Sequence, residues 1–284
     1  MPARSTQVGV VIVTHDRWQR LQRTLTQLHA LPERPPVVVV DNGSPRGPPD
    51  ELRLAGARLV RLADDVGAAA RNVGSLLLDT PYVAFSDDDS WWAAGSLLRA
   101  ADLFERHDRL GVIAARILVG AQRELDPTCR LMRDSPLRAA DDPGRPVLGF
   151  LACGAIVRRA AFLDVGGFDP RYGFGGEEEL LALDLASAGW QLRYVPQVVA
   201  HHLPSAEDPR PGRERRRLRN ALWSSWRRRP LRRAAARSVR LLRGSGRDGL
   251  PALLSALAGT RWVLADRRVA SSELEAQLRM LESN

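Results

Sequence analysis

Short apolar runs rich in β-branched residues recur along this sequence, and amphipathic segments of helical periodicity separate them. The first run, VGVVIVT, has the composition of a central parallel strand that is buried on both faces. The predicted strands lie at residues 8–14, 36–40, 57–62, 82–85, 111–119, 148–157 and 192–200. Strands that alternate with helices of about 15 residues predict an α/β fold with a doubly wound, mainly parallel sheet built from right-handed βαβ units.

Three consecutive acidic residues, Asp87, Asp88 and Asp89, directly follow the predicted strand at residues 82–85. They would lie at the carboxyl end of a strand, where open α/β sheets bind ligands. In an extended chain, Asp87 and Asp89 would point to one side and Asp88 to the other. Two carboxylates on one side repel each other unless a cation lies between them, and Mg2+ or Mn2+ prefers oxygen ligands of this kind. The alternative is an acidic turn or N-cap before the next helix.

Polar residues also close the first two predicted strands. Thr14 ends the first strand, and Asp16 and Arg17 follow it, with Asp16 as a candidate N-cap of the next helix. Asp41 follows the second strand and is itself followed by turn residues. Since the carboxyl ends of parallel strands share one edge of a sheet, these groups are candidate ligands of the same site.

A run of small residues begins at Gly67 and is followed by Arg71 at the start of a predicted helix. Small residues let a ligand approach the backbone closely, and a helix N-terminus beside a fixed positive charge favours an anion. This corner therefore suits a phosphate. Residues 120–146 lack a clear period, and we expect them to form a long loop over the site.

Glu177, Glu178 and Glu179 open a predicted helix that runs to Ala188. Acids in a first helical turn are stabilised by the helix dipole, so these residues have a structural explanation as well as a functional one. His201 and His202 follow the last predicted strand. One of them could be the third ligand of a metal ion, although a histidine pair at a strand end also has purely structural roles.

The charge of the 284-residue chain is unevenly distributed. Residues 1–209 contain 23 arginines and 27 acidic residues, whereas residues 210–284 contain 19 arginines and 6 acidic residues. We predict two units, an α/β domain at 1–209 and an Arg-rich amphipathic helical extension at 210–284. Two cysteines, no signal peptide and no apolar run of about 18 residues favour a cytoplasmic protein in a reducing compartment.

The extension is predicted to form several helices. Leu218, Leu222 and Trp226 mark the first, Pro230 ends it, and Ser272 with Glu275 predicts a capping box on the last; residues 250–264 are predicted as one helix. Arg-rich helices with Trp suit an anionic membrane surface, which makes residues 213–243 a candidate contact with the inner face of the cell membrane. The alternative is packing on the main domain with solvated arginines. Nucleic acid is a less favoured partner, because residues 1–209 are acidic and contain no nucleic-acid module.

Taken together, these motifs resemble glycosyltransferases of family 2, in the order typical of that family over about residues 8–205. The resembling segments are Val11-Ile12-Val13-Thr14-His15-Asp16-Arg17, Val40-Asp41-Asn42-Gly43-Ser44, Gly67-Ala68-Ala69-Ala70-Arg71-Asn72, Asp87-Asp88-Asp89, Gly166-Gly167-Phe168-Asp169, Gly176-Glu177-Glu178 and Val199-Ala200-His201. The resemblance implies a GT-A fold, a Rossmann-like, mixed, mainly parallel sheet. It also implies a nucleotide-sugar donor linked to UDP, dTDP or GDP, and a divalent metal, Mn2+ or Mg2+.

The resemblance also implies residue roles. The expected nucleotide-sugar contacts are Thr14, Asp16, Arg17, Asp41, Gly67, Arg71, Asp87 and Asp88. The expected metal ligands are Asp87, Asp89 and His201. Glu178, with Glu177 beside it, stands where the family's catalytic base usually lies, although the family has Asp there and Leu180 replaces a position that is often acidic. This departure leaves the choice of base open among Glu177, Glu178 and Glu179.

The mechanism implied is inversion by direct displacement of the nucleoside diphosphate by an acceptor hydroxyl. The Gln-x-x-Arg-Trp box of processive synthases is absent, because Ala258 precedes Arg261-Trp262 where Gln would stand. Single additions are therefore expected instead of polymer extrusion. The Arg-rich helices of the extension suggest a glycan or lipid-linked acceptor in cell-envelope synthesis. The alternatives are a sugar nucleotidyltransferase, which would want a Gly-rich basic loop after the first strand, and a non-catalytic nucleotide-sugar binder.

Overall fold

A ten-stranded sheet forms the centre of the molecule, for which a computed structural model describes residues 7–52, 54, 56–139, 143–204 and 212–283. The strands are β1 (Val8–Thr14), β2 (Val37–Asp41), β3 (Arg58–Arg61), β4 (Tyr82–Asp87), β5 (Ser90–Trp92), β6 (Leu110–Val119), β7 (Glu124–Leu125), β8 (Arg145–Pro146), β9 (Ala155–Arg158) and β10 (Gln191–His202). Their order is β3-β2-β1-β4-β9-β6-β10-β5, with β7 paired to β6 and β8 to β10.

Parallel pairing joins β3, β2, β1 and β4 on one side of the sheet and β6 with β10 on the other. Between these groups β9 runs antiparallel to both β4 and β6. The register places Thr14 opposite Asp41 and Val13 opposite Asp87, so three polar strand ends meet at one edge. The predicted α/β class with a mixed, mainly parallel sheet is confirmed.

Helices cover the sheet and bury every residue of β1. The helices of this part are α1 (Trp18–His29), α2 (Ala70–Leu76), α3 (Ser96–Arg106), α4 (Pro127–Arg133), α5 (Arg159–Asp164) and α6 (Glu177–Ser187). Gly74 lets α2 lie directly on the sheet, because a Cβ at this position would collide with the Val11 side chain. The helix that carries Arg71 is thereby fixed against β1 and β2.

The strand predicted at 148–157 was too long. Only Ala155–Arg158 is extended, and Ala152–Gly154 form a single 3-10 turn before it. Gly154 packs against Ile117 so closely that a Cβ would collide with that side chain, and the turn brings the main chain of Ala152 to the site described below. Apolar composition alone does not distinguish this buried turn from a strand.

The long loop predicted at 120–146 was also wrong for the part that is described. It contains β7, α4 and β8, while residues 140–142 lie outside the described residues. The helix start was readable, because Asp126 caps α4 by accepting a hydrogen bond from Thr128 N (2.7 Å) and Pro127 follows it. Cys129 is buried where α4 packs on β6 and β10.

The last part of the chain is helical, as predicted: α7 (Arg213–Arg228), α8 (Leu231–Arg243), α9 (Gly249–Ala258), α10 (Thr260–Ala265) and α11 (Ser272–Glu282). The single helix predicted at 250–264 is divided at Gly259, and the cap of the last helix is Ser271 instead of Ser272. Helices α7 to α10 share a second apolar core with α6 and its preceding loop, and its buried residues are Tyr172, Leu180, Leu222, Trp223, Ala256 and Val263. The division of the chain at 209 and 210 stays a prediction, since residues 205–211 lie outside the described residues.

Three arginines at the end of α7 are buried in ion pairs. Arg227 contacts Asp169 (2.8 Å), Arg228 contacts Asp184, and Arg229 contacts Glu275 (2.7 Å). These three side chains hold helices together, in contrast to the solvated or membrane-facing arginines expected from the sequence. None of the helices among the described residues is long and apolar enough to cross a membrane.

Candidate active site

The three acids after β4 turn to three different partners. The chain bends at Asp88, the most buried of them, so the alternation expected for an extended chain does not apply. Thr14 Oγ1 donates to Asp88 Oδ2 (3.0 Å), and Arg17 Nη1 lies 3.6 Å from Asp88 Oδ1. Burial, with the negative charge of Asp89 next to it, raises the pKa of Asp88 to about 7. The predicted donor-site residues Thr14, Arg17 and Asp88 thus form one cluster.

Asp87 pairs with Arg71, with 2.5 Å between Asp87 Oδ1 and Arg71 Nη2. Arg71 is 3% exposed, and within the described part of the chain its Nε and Nη1 have no hydrogen-bond partner. Burial opposes the positive charge, but Asp87, Glu177 and Glu178 together outweigh it and raise the pKa of Arg71. A buried guanidinium with bare N–H groups is suited to bind an anionic ligand.

Asp89 lies beside His202, with 3.4 Å between Asp89 Oδ1 and His202 Nε2. Burial opposes a charge on His202, but the hydrogen bond and charge of Asp89 prevail and raise its pKa. His201, which the resemblance assigns to the metal, instead stacks on Trp91 with 5.6 Å between ring centroids. The structure therefore brings His202, and not His201, to the acidic cluster.

Two other predicted contacts of the nucleotide-sugar, Asp41 and Asp16, lie in contrasting surroundings. Asp41 is fully buried, and its oxygens accept hydrogen bonds from Ser44 N (3.1 Å) and Arg61 Nε (2.7 Å). It fixes the loop after β2, which is a structural task at the place predicted for a nucleotide contact. Asp16 is exposed and adopts a left-handed backbone (φ 54°), and the N-cap position of α1 falls on Arg17. The capping prediction for Asp16 was wrong.

The segment that carries Arg71 is docked on the loop before α6. Gly67 has a φ of 63°, and a Cβ there would collide with Gly173. Asn72 Nδ2 donates to Phe168 O (2.8 Å), and Phe168 N donates to Asn72 Oδ1 (2.9 Å). Asn72 stands in a motif noted in the sequence, but its positioning role was missed, since no spacing links residues 96 positions apart.

The three glutamates in the first turn of α6 have different partners. Glu178 is half-buried, and Ala152 N donates to its Oε1 (3.4 Å). Glu177 is buried and accepts a hydrogen bond from Gly175 N (2.5 Å). Burial raises the pKa of both carboxyls, and the charge of Glu178 helps to raise that of Glu177 to about 8.

Groups on the C-terminal helices hold this turn. Glu179 is ion-paired with Arg237 of α8. Asn220 of α7 is fully buried and donates from Nδ2 to Tyr172 O (2.9 Å) and Gly175 O (2.7 Å). Sequence reasoning missed both supporting residues, because they lie on helices far along the chain.

A metal ion would find suitable donor types here, although not a complete protein cage. In the described ranges, no three His, Cys, Asp or Glu side chains are arranged to hold a metal ion together. Asp87, Asp89 and His202 nevertheless offer carboxylate and imidazole donors of the kinds that bind Mn2+.

The fold is that of GT-A glycosyltransferases. The structure of mannosyltransferase PcManGT from Pyrobaculum calidifontis, in complex with GDP-Man and Mn2+, superposes with a TM-score of 0.60 at 20% identity. The superposition covers 99% of this chain and 81% of that one. A likeness at this identity establishes the fold.

Residues 9–166 match the sequence profile described as glycosyl transferase family 2, and the chain belongs to that family. It is 29% identical over 234 residues to N-acetylglucosaminyl-diphospho-decaprenol L-rhamnosyltransferase of Mycobacterium tuberculosis, covering 68% of this chain and 75% of that protein. It is 32% identical over 213 residues to the pre-mycofactocin glycosyltransferase of the same organism, covering 69% of this chain but only 42% of that protein. The protein is therefore a glycosyltransferase, an assignment that replaces the nucleotidyltransferase and non-catalytic alternatives.

Proposed function

We propose that the protein transfers a single sugar from a UDP-, dTDP- or GDP-linked donor to an acceptor hydroxyl, with inversion at the anomeric carbon. The observation that carries this proposal is the environment of Arg71. Its guanidinium is buried, and Nε and Nη1 have no hydrogen-bond partner among the described residues. Asp87 pairs with it, and the charges of Glu177 and Glu178 act on it. A diphosphate on one side of Arg71 and an acceptor hydroxyl near Glu178 would place both reacting groups in one cleft.

The donor is assigned to the strand ends. Thr14, Arg17 and Asp88 are connected to one another, and we assign them to the nucleoside; Asp41 would act there by holding the loop after β2. The bare N–H groups of Arg71 would bind the diphosphate, whose negative charge grows as the leaving group departs. Because Gly67 has no Cβ, the backbone before Arg71 can lie directly against Gly173.

We assign a divalent ion to the region of Asp87, Asp89 and His202, where one or two of these side chains would hold it together with donor phosphate oxygens, because no three described side chains are arranged as a cage. Such an ion neutralises the developing charge of a nucleoside diphosphate and orients it. His202 replaces His201 in this assignment because it lies next to Asp89. The Mn2+ in the PcManGT complex supports the choice of metal.

Glu178 is assigned as the general base. It accepts the proton of the acceptor hydroxyl while the acceptor oxygen forms a bond to the anomeric carbon and the bond to the diphosphate oxygen breaks. Burial and the charge of Glu178 raise the pKa of Glu177, which favours its neutral form and lessens its repulsion of the Glu178 carboxylate. Arg71 stabilises the departing charge.

The acceptor is proposed to be a lipid-linked diphosphate glycan of the cell envelope, used at the inner face of the cell membrane. The support is the name of the mycobacterial relative, a rhamnosyltransferase acting on a diphospho-decaprenol. The exposed arginines at the start of α7, Arg213, Arg215, Arg216 and Arg217, suit an anionic surface.

The test is a screen of UDP-, dTDP- and GDP-linked sugars with Mn2+ that measures release of the nucleoside diphosphate. With the donor that responds, Asp87→Asn should lower the rate about 100-fold, because one electrostatic stabiliser of the transition state is removed. Asp79→Asn, an exposed acid on the same domain, is the matched control and should leave the rate unchanged. A wild-type rate in Asp87→Asn would overturn the assignment.

A further inference from the structure

A positively charged cleft of about 260 Å³ lies between the start of α7 and α9. Its lining consists of Gly212, Arg215, Arg216, Arg219, Pro251 and Ser255. Of the described residues, no carboxylate forms an ion pair with any of its three arginines. At the other end of α7, Arg227, Arg228 and the following Arg229 are all paired with acids, so the cleft arginines differ from them.

The arginines of this cleft are partly preorganised. Arg219 stacks on Trp223 at 4.2 Å and donates from Nη2 to Tyr172 O (3.0 Å), whereas Arg215 and Arg216 are exposed. Burial and the nearby charge of Arg216 lower the pKa of Arg219, as expected where positive charges lie close together. An anion with several oxygens would relieve this repulsion.

Beside the cleft, α9 exposes an apolar stripe. Leu250, Leu254 and Leu257 are 66%, 59% and 51% exposed, and their spacing places them on one helix face. Ala252 and Ala256 are buried on another face. The cleft-lining residues of α9 lie between these two faces, since successive residues turn by about 100°. The leucine stripe and the cationic cleft are therefore neighbours.

The cleft adjoins the loop that leads to the proposed base. The Arg216 Cδ lies 3.8 Å from the position that a Cβ of Gly173 would occupy. Gly173 O in turn accepts a hydrogen bond from Ala68 N (3.1 Å) at the edge of the donor site. An anionic group in the cleft would thus be held on the α6 side of the active site, where the acceptor must enter.

We propose that Arg215, Arg216 and Arg219 bind the diphosphate of a lipid-linked acceptor and that its hydrocarbon chain lies along Leu250, Leu254 and Leu257. This inference rests on the proposed lipid-linked acceptor. An amphiphile with a multiply charged head and an apolar tail would cover both parts of this surface. Its head would pair with the arginines, and its tail would cover the exposed leucines.

The test uses calorimetric titration of the full chain with farnesyl diphosphate, inorganic pyrophosphate and phosphatidylglycerol vesicles. The double variant R215Q/R216Q should weaken farnesyl diphosphate binding at least about tenfold, since two charge-assisted contacts are lost. R232Q/R233Q, two exposed arginines of α8, is the matched control and should bind like the wild type. Equal binding by both double variants would overturn the site.

The apolar half of the site is tested by Leu254→Ser, with Leu131→Ser, another exposed leucine, as its control. Leu254→Ser should weaken binding of farnesyl diphosphate but not of pyrophosphate; weakening of neither would overturn the lipid assignment. If both arginine double variants lost vesicle binding equally and kept farnesyl diphosphate binding, the arginines would act by general attraction to an anionic surface. That result would also overturn the proposed site. Donor binding, followed by thermal shift with the nucleotide-sugar, should be unchanged in R215Q/R216Q, so a failure of the donor site is recognised separately.

Discussion

Glu179 forms an ion pair with Arg237, which lies 58 positions further along the chain on α8. Its neighbour Glu178 instead accepts a hydrogen bond from Ala152 N, and the charges of Arg71 and Asp87 act on its carboxyl. Two adjacent glutamates thus have different surroundings, because a residue of the C-terminal helices pairs with only one of them. The pairing indicates that Glu179 anchors α6, and it is consistent with the role of general base that we propose for Glu178.

Glu178→Gln should lower the rate of sugar transfer by about 10²- to 10⁴-fold, the usual contribution of a general base. The amide keeps the size of the side chain but does not take up the acceptor proton. Binding of the donor, measured by titration with the nucleotide-sugar, should stay within about threefold of the wild type, because no donor contact is assigned to Glu178.

Glu179→Gln is the matched control, since it alters the adjacent residue of the same helix turn. It should keep transfer within a few-fold of the wild type while slightly lowering thermal stability through the weakened contact with Arg237. If Glu179→Gln abolished transfer and Glu178→Gln did not, the base would have to be reassigned.

His202→Gln should raise the Mn2+ concentration needed for half-maximal activity by about tenfold, because removal of one metal-supporting group typically costs 10- to 100-fold in affinity. His201→Gln is the natural comparison, since that ring stacks on Trp91 and does not approach Asp89. The measurement is a Mn2+ titration of transfer for both variants. A larger shift in His201→Gln would return the metal assignment to the residue indicated by the family resemblance.

The parts of the site that the sequence predicted are those that depend on neighbouring parallel strands. Thr14, Asp41 and Asp87 each end an apolar run, and parallel pairing places such ends at one edge whatever the details of the connections. The opening of α6 by three acids was also predictable, because a glycine and a first-turn acid run mark a helix start.

The parts that the sequence could not predict depend on contacts between distant segments. The choice between His201 and His202 depends on the register of β10 against β5, which pairs His202 with Ser90. The support of Asn220 for the loop before α6 joins residues 45 and 48 positions apart. No local period encodes either contact, since the first depends on the pairing of two distant strands and the second on the packing of α7 against the loop before α6.

Glu177 should make folding stability depend on pH. Its pKa is raised from 4.5 to about 8 by burial and by Glu178, so the folded protein holds this proton more tightly than the unfolded chain. The contribution is fully present below about pH 4.5 and is lost as the pH rises through about 8. Glu177→Gln removes this titration, so its free energy of unfolding in urea should fall less steeply over that range than the wild type. The exposed Glu273→Gln should parallel the wild type, and a Glu177→Gln curve that also did so would contradict the assignment.

Arg228 of α7 and Asp184 of α6 join the C-terminal helices to the rest of the protein, with 3.0 Å between Arg228 Nη2 and Asp184 Oδ2. The Arg228 side chain is 7% exposed and that of Asp184 is 19% exposed. Removing one partner leaves the other charge poorly solvated, so Arg228→Ala and Asp184→Ala should each lower the free energy of unfolding by about 3–5 kcal/mol. The double variant should lose less than the sum of the two, because no unpaired charge remains.

The comparison pair is Glu214 and Arg217, which are exposed on α7 and should contribute less than about 1 kcal/mol to the free energy of unfolding.

Urea unfolding followed by circular dichroism distinguishes two arrangements of the chain. If the apolar core around Tyr172 and Leu222 makes the C-terminal helices part of one folding unit, Arg228→Ala will shift a single transition. If residues 210–284 instead unfold separately from residues 1–209, only a separate, second transition will move.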